Sequence, residues 1–175
     1  MLDRKTACVP LAALVASMFS VAACGLIGTK VYRMPSSSME PTLRFDESFR
    51  ARLVEDYDPR RLDVVVFEDP GDWLGPHSET SSPSLIVKRV IGIGGDHVVC
   101  CDSMGRVQVN GDPLDEDYIG TNAPSQQSFD VTVPSDHLWV MGDNRASSAD
   151  SRAHIGDPEG GFVPVDLVRA IAQLD

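Results

Sequence analysis

The rhythm of apolar and polar positions changes at about residue 30. No charged side chain occurs from Thr6 to before Lys30, and Ala7 to Ile27 is mostly apolar. A helix over these ~21 residues, rising ~1.5 Å per residue, reaches ~32 Å, enough for the ~30 Å hydrocarbon core of a bilayer. The pattern predicts a short tail at 1–5 and one transmembrane helix over 6–29, weakened but not broken by Pro10, Ser17, Ser20 and Gly25. Arg4 and Lys5 before it and Lys30 and Arg33 after it nearly balance, so flanking charge does not orient the span.

Past residue 30 the pattern is that of strands. Phe49 to Val54, Asp63 to Phe67 and Leu85 to Ile93 are short runs rich in β-branched residues, the last ended by Gly94-Gly95-Asp96. His97 to Cys101 and Arg106 to Val109 flank a turn and predict a hairpin, and Asn110-Gly111 signals a second tight turn. Phe129 to Val133 and Leu138 to Met141 add two strands. Between them lie two aperiodic stretches, a Pro/Gly/Ser-rich loop at 69–84 and an acidic segment at 112–128 that reads as a surface excursion. The expected fold is mainly β, one compact domain over 30–175 with excursions at 69–84 and 112–128.

Composition narrows the function classes. A net charge of −11 over 175 residues lacks the basic face that nucleic-acid binding requires. Cys8 and Cys24 lie in the apolar run, and Cys100 and Cys101 are adjacent, read as two ordinary thiols rather than a vicinal disulfide. Neither the cysteines nor His77, His97, His137 and His154 have metal-ligand spacing, so no metal and no cofactor is expected.

Two stretches carry candidate chemistry. Met34-Pro35-Ser36-Ser37-Ser38-Met39-Glu40-Pro41-Thr42-Leu43 places three hydroxyls between prolines that forbid a helix. Such a segment suits a nucleophile beside free backbone N–H groups, and on its own it equally suits a Ser/Pro-rich linker. On the strand at 85–93, Lys88 alternates with Ile86 and Val90, a setting that would desolvate an amine; Arg89 lies on an equally apolar face, but a guanidinium does not deprotonate. As a rival, Lys88 is a strand charge reaching solvent. Asp96-His97 and Asp136-His137 are poor triad halves, because strand neighbours point to opposite faces.

The serine segment resembles the active-site segment of the type I signal peptidases, or leader peptidases. Arg61 to Phe67, Val87 to Gly92, and Gly142-Asp143-Asn144-Arg145 with Ser148 and Asp150-Ser151-Arg152 resemble three further motifs of that family, in the family's order. The resemblance runs from about Lys30 to the C-terminus and implies an antiparallel β-sheet catalytic domain in which the accessory region of larger members is reduced to about 102–130. It implies a membrane-bound serine endopeptidase, with its catalytic domain on the extracytoplasmic face of the plasma membrane, that removes signal peptides from exported preproteins after small residues at −1 and −3. It further implies Ser38 as nucleophile, Lys88 as general base, and Ser38 N–H with the Ser36 hydroxyl as oxyanion hole. Ser148 would orient the Lys88 amine, Asp150 and Arg152 would form a structural ion pair, and Asp143, Asn144 and Arg145 would hold the loop. Met39 would pack beneath the site, and Ser37 stands where the family often has glycine.

Four other readings stand beside this one. Val21-Ala22-Ala23-Cys24 resembles a lipoprotein processing site, and the apolar run also fits a cleavable secretory signal. A peptidase dedicated to one substrate, and a membrane-tethered β domain that only binds partners, fit the same chain. His154 to Gly161 reads as an insertion before Phe162, most simply a passive loop.

Overall fold

A computed structural model describes residues 28–71, 73–75 and 84–174. The anchor predicted over 6–29 lies outside the described residues except for Gly28 and Thr29, as does most of the 69–84 loop. Among the described residues no helix is long and apolar enough to cross a membrane.

In chain order the strands are β1 (Thr29–Arg33), β2 (Ser48–Leu53), β3 (Val64–Glu68), β4 (Leu85–Ile93), β5 (His97–Cys100), β6 (Val107–Val109), β7 (Asp112–Pro113), β8 (Phe129–Thr132), β9 (His137–Met141), β10 (Val163–Pro164) and β11 (Val168–Ala172). They form two antiparallel sheets, ordered β1-β2-β11-β3-β4-β9-β10 and β7-β6-β5-β8. The mainly β expectation holds, and β4 has the predicted bounds. Thr29, assigned to the end of the anchor, instead opens β1, paired with Arg52.

The apolar runs of β3 and β4 are explained by burial on both faces. Val65 and Phe67 join one cluster with Ile86, Val90, Leu138 and Val140, while Val64 and Val66 join another with Met34, Met39, Leu43 and Val87. The small sheet sits against the large one through a third cluster, in which Val98, Val107 and Phe129 meet Ile91, Trp139 and Met141. Gly92 lies at this junction: a side chain there would run into Val98 and Val133. The Asn110-Gly111 turn joins β6 to β7 with both residues at positive φ, as such two-residue hairpins require.

Two expectations are corrected. Cys100 and Cys101 are joined as a vicinal disulfide rather than held as free thiols. The stretch 112–128, read as an irregular acidic excursion, carries β7 and a 3-10 turn at Asp117–Ile119, while β6 and β8 fall where the sequence places strands. The described part of the other excursion is also anchored. Asp69 accepts from the N–H groups of Gly71, Trp73 and Leu74, and Trp73 packs edge-on against Phe67 and stacks on His154.

Candidate active site

The serine segment follows β1 and is fixed by what it buries. Met34, Met39 and Leu43 are almost fully buried in one cluster, so the serines between them are held in a tight turn. Backbone bonds complete it: Glu40 N–H donates to Ser37 O at 3.1 Å and Leu43 N–H to Met39 O at 3.0 Å. Met39 thus lies beneath the turn. Ser36 Oγ donates to Ser38 Oγ at 3.0 Å, and Ser38 N–H donates to Ser36 Oγ at 3.4 Å.

β4 brings Lys88 to this turn from 50 residues away. Lys88 Nζ donates to Ser38 Oγ at 2.8 Å and to Val87 O at 3.0 Å, and both side chains are buried. Burial pulls the Lys88 ammonium down to about 8. The Asp150 and Asp143 carboxylates act the other way, whereas the Arg152 guanidinium adds to the decrease. A buried amine that loses its proton near neutrality, in contact with a hydroxyl, can take that hydroxyl's proton.

The loop after β9 closes the site. Asn144 N–H donates to Ser38 O and Asn144 Nδ2 to Ser37 O, each at 3.1 Å. Asp143 receives Arg89 in a two-point pair, at 2.8 and 2.6 Å, and also accepts from the Thr42 hydroxyl. Asp150 accepts from Gly142 N–H at 2.9 Å and from Arg152 Nη2 at 2.7 Å. Arg145 Nε donates to Gly142 O at 3.1 Å.

Ser148 departs from expectation. Its hydroxyl is buried without a hydrogen-bond partner, and the Lys88 amine is held by Ser38 and Val87 O instead. Ser148 does lie close by: a Cβ at Gly142 would collide with Ser148 Oγ and with Ser38 O. Gly142→Ala is therefore expected to force the Ser38 turn and Ser148 apart, costing about 1–3 kcal/mol of stability. Chemical denaturation of the two proteins measures it, and an unchanged midpoint would contradict the crowding.

Among the described histidines none reaches Ser38. His97 pairs with Asp130, His137 with Ser135 O, and His154 with Asp157, while Asp96 is occupied by Arg61 and Asn110. Among the described residues no group of His, Cys, Asp and Glu is arranged to hold a metal ion.

Residues 6–174 match the family described as signal peptidase, peptidase S26. The chain belongs to that family. It is 34% identical to a probable signal peptidase I of Mycobacterium leprae (strain TN), over 82% of this chain and 66% of the relative. A probable signal peptidase I-2 of Synechocystis is 41% identical, over 75% of this chain and 55% of the relative. The chain thus spans less than two-thirds of the length of these curated relatives. A crystal structure of a signal peptidase I from Enterococcus faecalis V583 is similar to it with a TM-score of 0.50 at 28% identity, covering 67% of this chain and 99% of that one.

Some residues that build the site in this signal peptidase family member carried no signal in the sequence. Glu116 and Tyr118, in the acidic stretch set aside as surface, reach Arg145 and Arg89. The Arg145–Glu116 pair is buried, and Gln127 donates to the Arg152 carbonyl at 2.5 Å. Only the acidic and polar character of 112–128 was visible, and that is shared with solvated loops.

Proposed function

We propose that the chain is a membrane-bound serine endopeptidase that removes signal peptides from exported preproteins after small residues at −1 and −3. The observation that carries this reading is the buried 2.8 Å contact between Lys88 Nζ and Ser38 Oγ, with the amine pulled down to about 8 by burial. Neutral Lys88 takes the Ser38 proton as Oγ attacks the scissile carbonyl. The oxyanion is received by Ser38 N–H and the Ser36 hydroxyl. The lysine then hands its proton to the leaving amine, and next activates the water that releases the acyl group. Asp143, Asn144, Arg145, Asp150 and Arg152 hold the two segments together, and Ser148 stands beside them. The substrate enters as an added strand with two small side-chain pockets. Residues 6–27 anchor the enzyme in the bilayer as one span, leaving 1–5 in the cytoplasm and the β domain, which opens with Thr29 in β1, outside.

The test is cleavage of a preprotein with an Ala-x-Ala site by the detergent-solubilised full chain. Wild type is expected to cut after the second Ala, and Ser38→Ala to lose activity by about a thousandfold or more. Activity should rise with pH through about 8, because the working base is the deprotonated amine. Wild type inert toward several such preproteins would sink general preprotein processing and leave the single-substrate peptidase or the binding domain. A flat profile between pH 6.5 and 9 would sink the lysine base.

A further inference from the structure

We propose that the Glu116–Tyr118 turn of the small sheet is a positioning element for the Ser38/Lys88 pair, acting through Arg145 and Arg89. This rests on the peptidase reading above.

The turn belongs to the acidic excursion, yet its side chains divide. Asp112, Asp115 and Asp117 are exposed, whereas Glu116 folds inward and pairs with Arg145, at side-chain exposures of 6% and 1%. The Tyr118 ring lies 4.1 Å from Arg89 Cζ and 6.0 Å from Arg145 Cζ, and its hydroxyl donates to Glu116 Oε1 at 3.2 Å. One aromatic side chain therefore bears on both guanidiniums that brace the site.

Each guanidinium has its other end on the catalytic segments. Arg89 is the β4 neighbour of Lys88 and grips Asp143; Arg145 donates to Gly142 O, and between these two loop residues and Arg145 stands Asn144, bonded to the Ser37 and Ser38 carbonyls. The path from the turn to the serine segment is thus continuous, through Arg89 and Asp143 on one side and Arg145 on the other, both meeting at Asn144. Neither Glu116 nor Tyr118 touches Ser38 or Lys88, so their role is positioning rather than catalytic.

Burial of Glu116 supports a role beyond covering the surface. Its Oε2 is buried without a partner, and an apolar side chain would fasten a merely structural turn at less expense. The charges that act on Lys88 are Asp150, Arg152 and Asp143, and Asp143 is the one that Arg89 neutralises. Freeing Arg89 would leave Asp143 less compensated and hold the lysine proton more tightly.

Tyr118→Phe keeps the ring over Arg89, whereas Tyr118→Leu removes it. In the detergent-solubilised full chain, Tyr118→Leu is expected to lower kcat about tenfold, within what a partly desolvated cation–π contact supplies. KM should stay within about twofold, since only the reacting pair is displaced. The midpoint of its rate–pH curve should move to higher pH, and Tyr118→Phe should stay near wild type on all three measures. Wild-type kcat and midpoint in a folded Tyr118→Leu, or an equal loss in Tyr118→Phe, would overturn the proposal. Amide exchange at Asn144 gives a readout without turnover: it should be faster in Tyr118→Leu than in Tyr118→Phe, and equal rates overturn the proposal. If wild type cleaves nothing, the peptidase reading fails separately and this exchange comparison still decides whether the turn braces the loop.

Discussion

Lys88→Met is expected to abolish cleavage while stabilising the fold below pH 8. On the proposed mechanism Lys88 is the general base, so its loss should lower the rate by at least about a hundredfold, within the usual range for general acid–base catalysis. The stability gain follows from the same burial that tunes the amine. A lysine whose folded value is about 8 against the ordinary 10.5 is held charged in the folded state only at a penalty. At roughly 1.4 kcal/mol per unit, that penalty is about 3 kcal/mol. Below pH 8 both folded and unfolded chains carry the proton, and the folded state bears the whole penalty. Between 8 and 10.5 the unfolded chain holds more protons, so wild-type stability climbs with pH, and above 10.5 the penalty is gone. Methionine has similar bulk and no charge, but it leaves the Val87 carbonyl without the amine that donates to it. The net gain is therefore about 1–2 kcal/mol at pH 6, shrinking above pH 8. Urea denaturation of both proteins at pH 6 and pH 10 measures the difference. A variant less stable than wild type at pH 6 would mean that Lys88 is not held against a burial penalty.

What could be read from the sequence depended on whether a residue's partner was local. Leu85 to Ile93 declares itself a buried strand, and β4 occupies those residues. The 34–43 segment shows its turn through its prolines, and its methionines are the side chains that pin it. By contrast, β1 reads Thr-Lys-Val-Tyr-Arg, a charged edge strand with a largely exposed pattern and no apolar alternation to betray it. β10 and β11 are short and follow a Gly/Pro-rich stretch, and they become strands because β9, β2 and β3 offer free edges. Glu116 is indistinguishable in sequence from Asp115 and Asp117. It is buried because Arg145 meets it from 29 residues away, a pairing created by the docking of the two sheets. Ser148 shows the converse: the motif pointed to a bond with Lys88, and the amine found a backbone carbonyl next to it instead.

The Arg89–Asp143 pair should show the largest single-residue effects on stability. Both side chains are buried, at 7% and 0% exposure, and they meet through two hydrogen bonds. Removing one partner leaves a buried charge uncompensated, which costs about 3–5 kcal/mol; a typical domain has only about 5–15 kcal/mol in all. Arg89→Met is expected to fall in this range, because it strands Asp143 with only the Thr42 hydroxyl and also removes the donor to Leu62 O. Asp143→Leu should cost as much, leaving the Arg89 guanidinium buried against the Tyr118 ring and Leu62 O. The double variant removes both charges and is expected to recover most of the loss, with a coupling energy of about 2 kcal/mol or more. Recovery of stability without recovery of cleavage would assign the pair to placing the Ser38 turn against β4 rather than to holding the domain together. Guanidinium denaturation of the four proteins, followed by cleavage rates for those that fold, separates the two. Single variants within about 1 kcal/mol of wild type would instead match a solvated ion pair and contradict the burial on which the expectation rests.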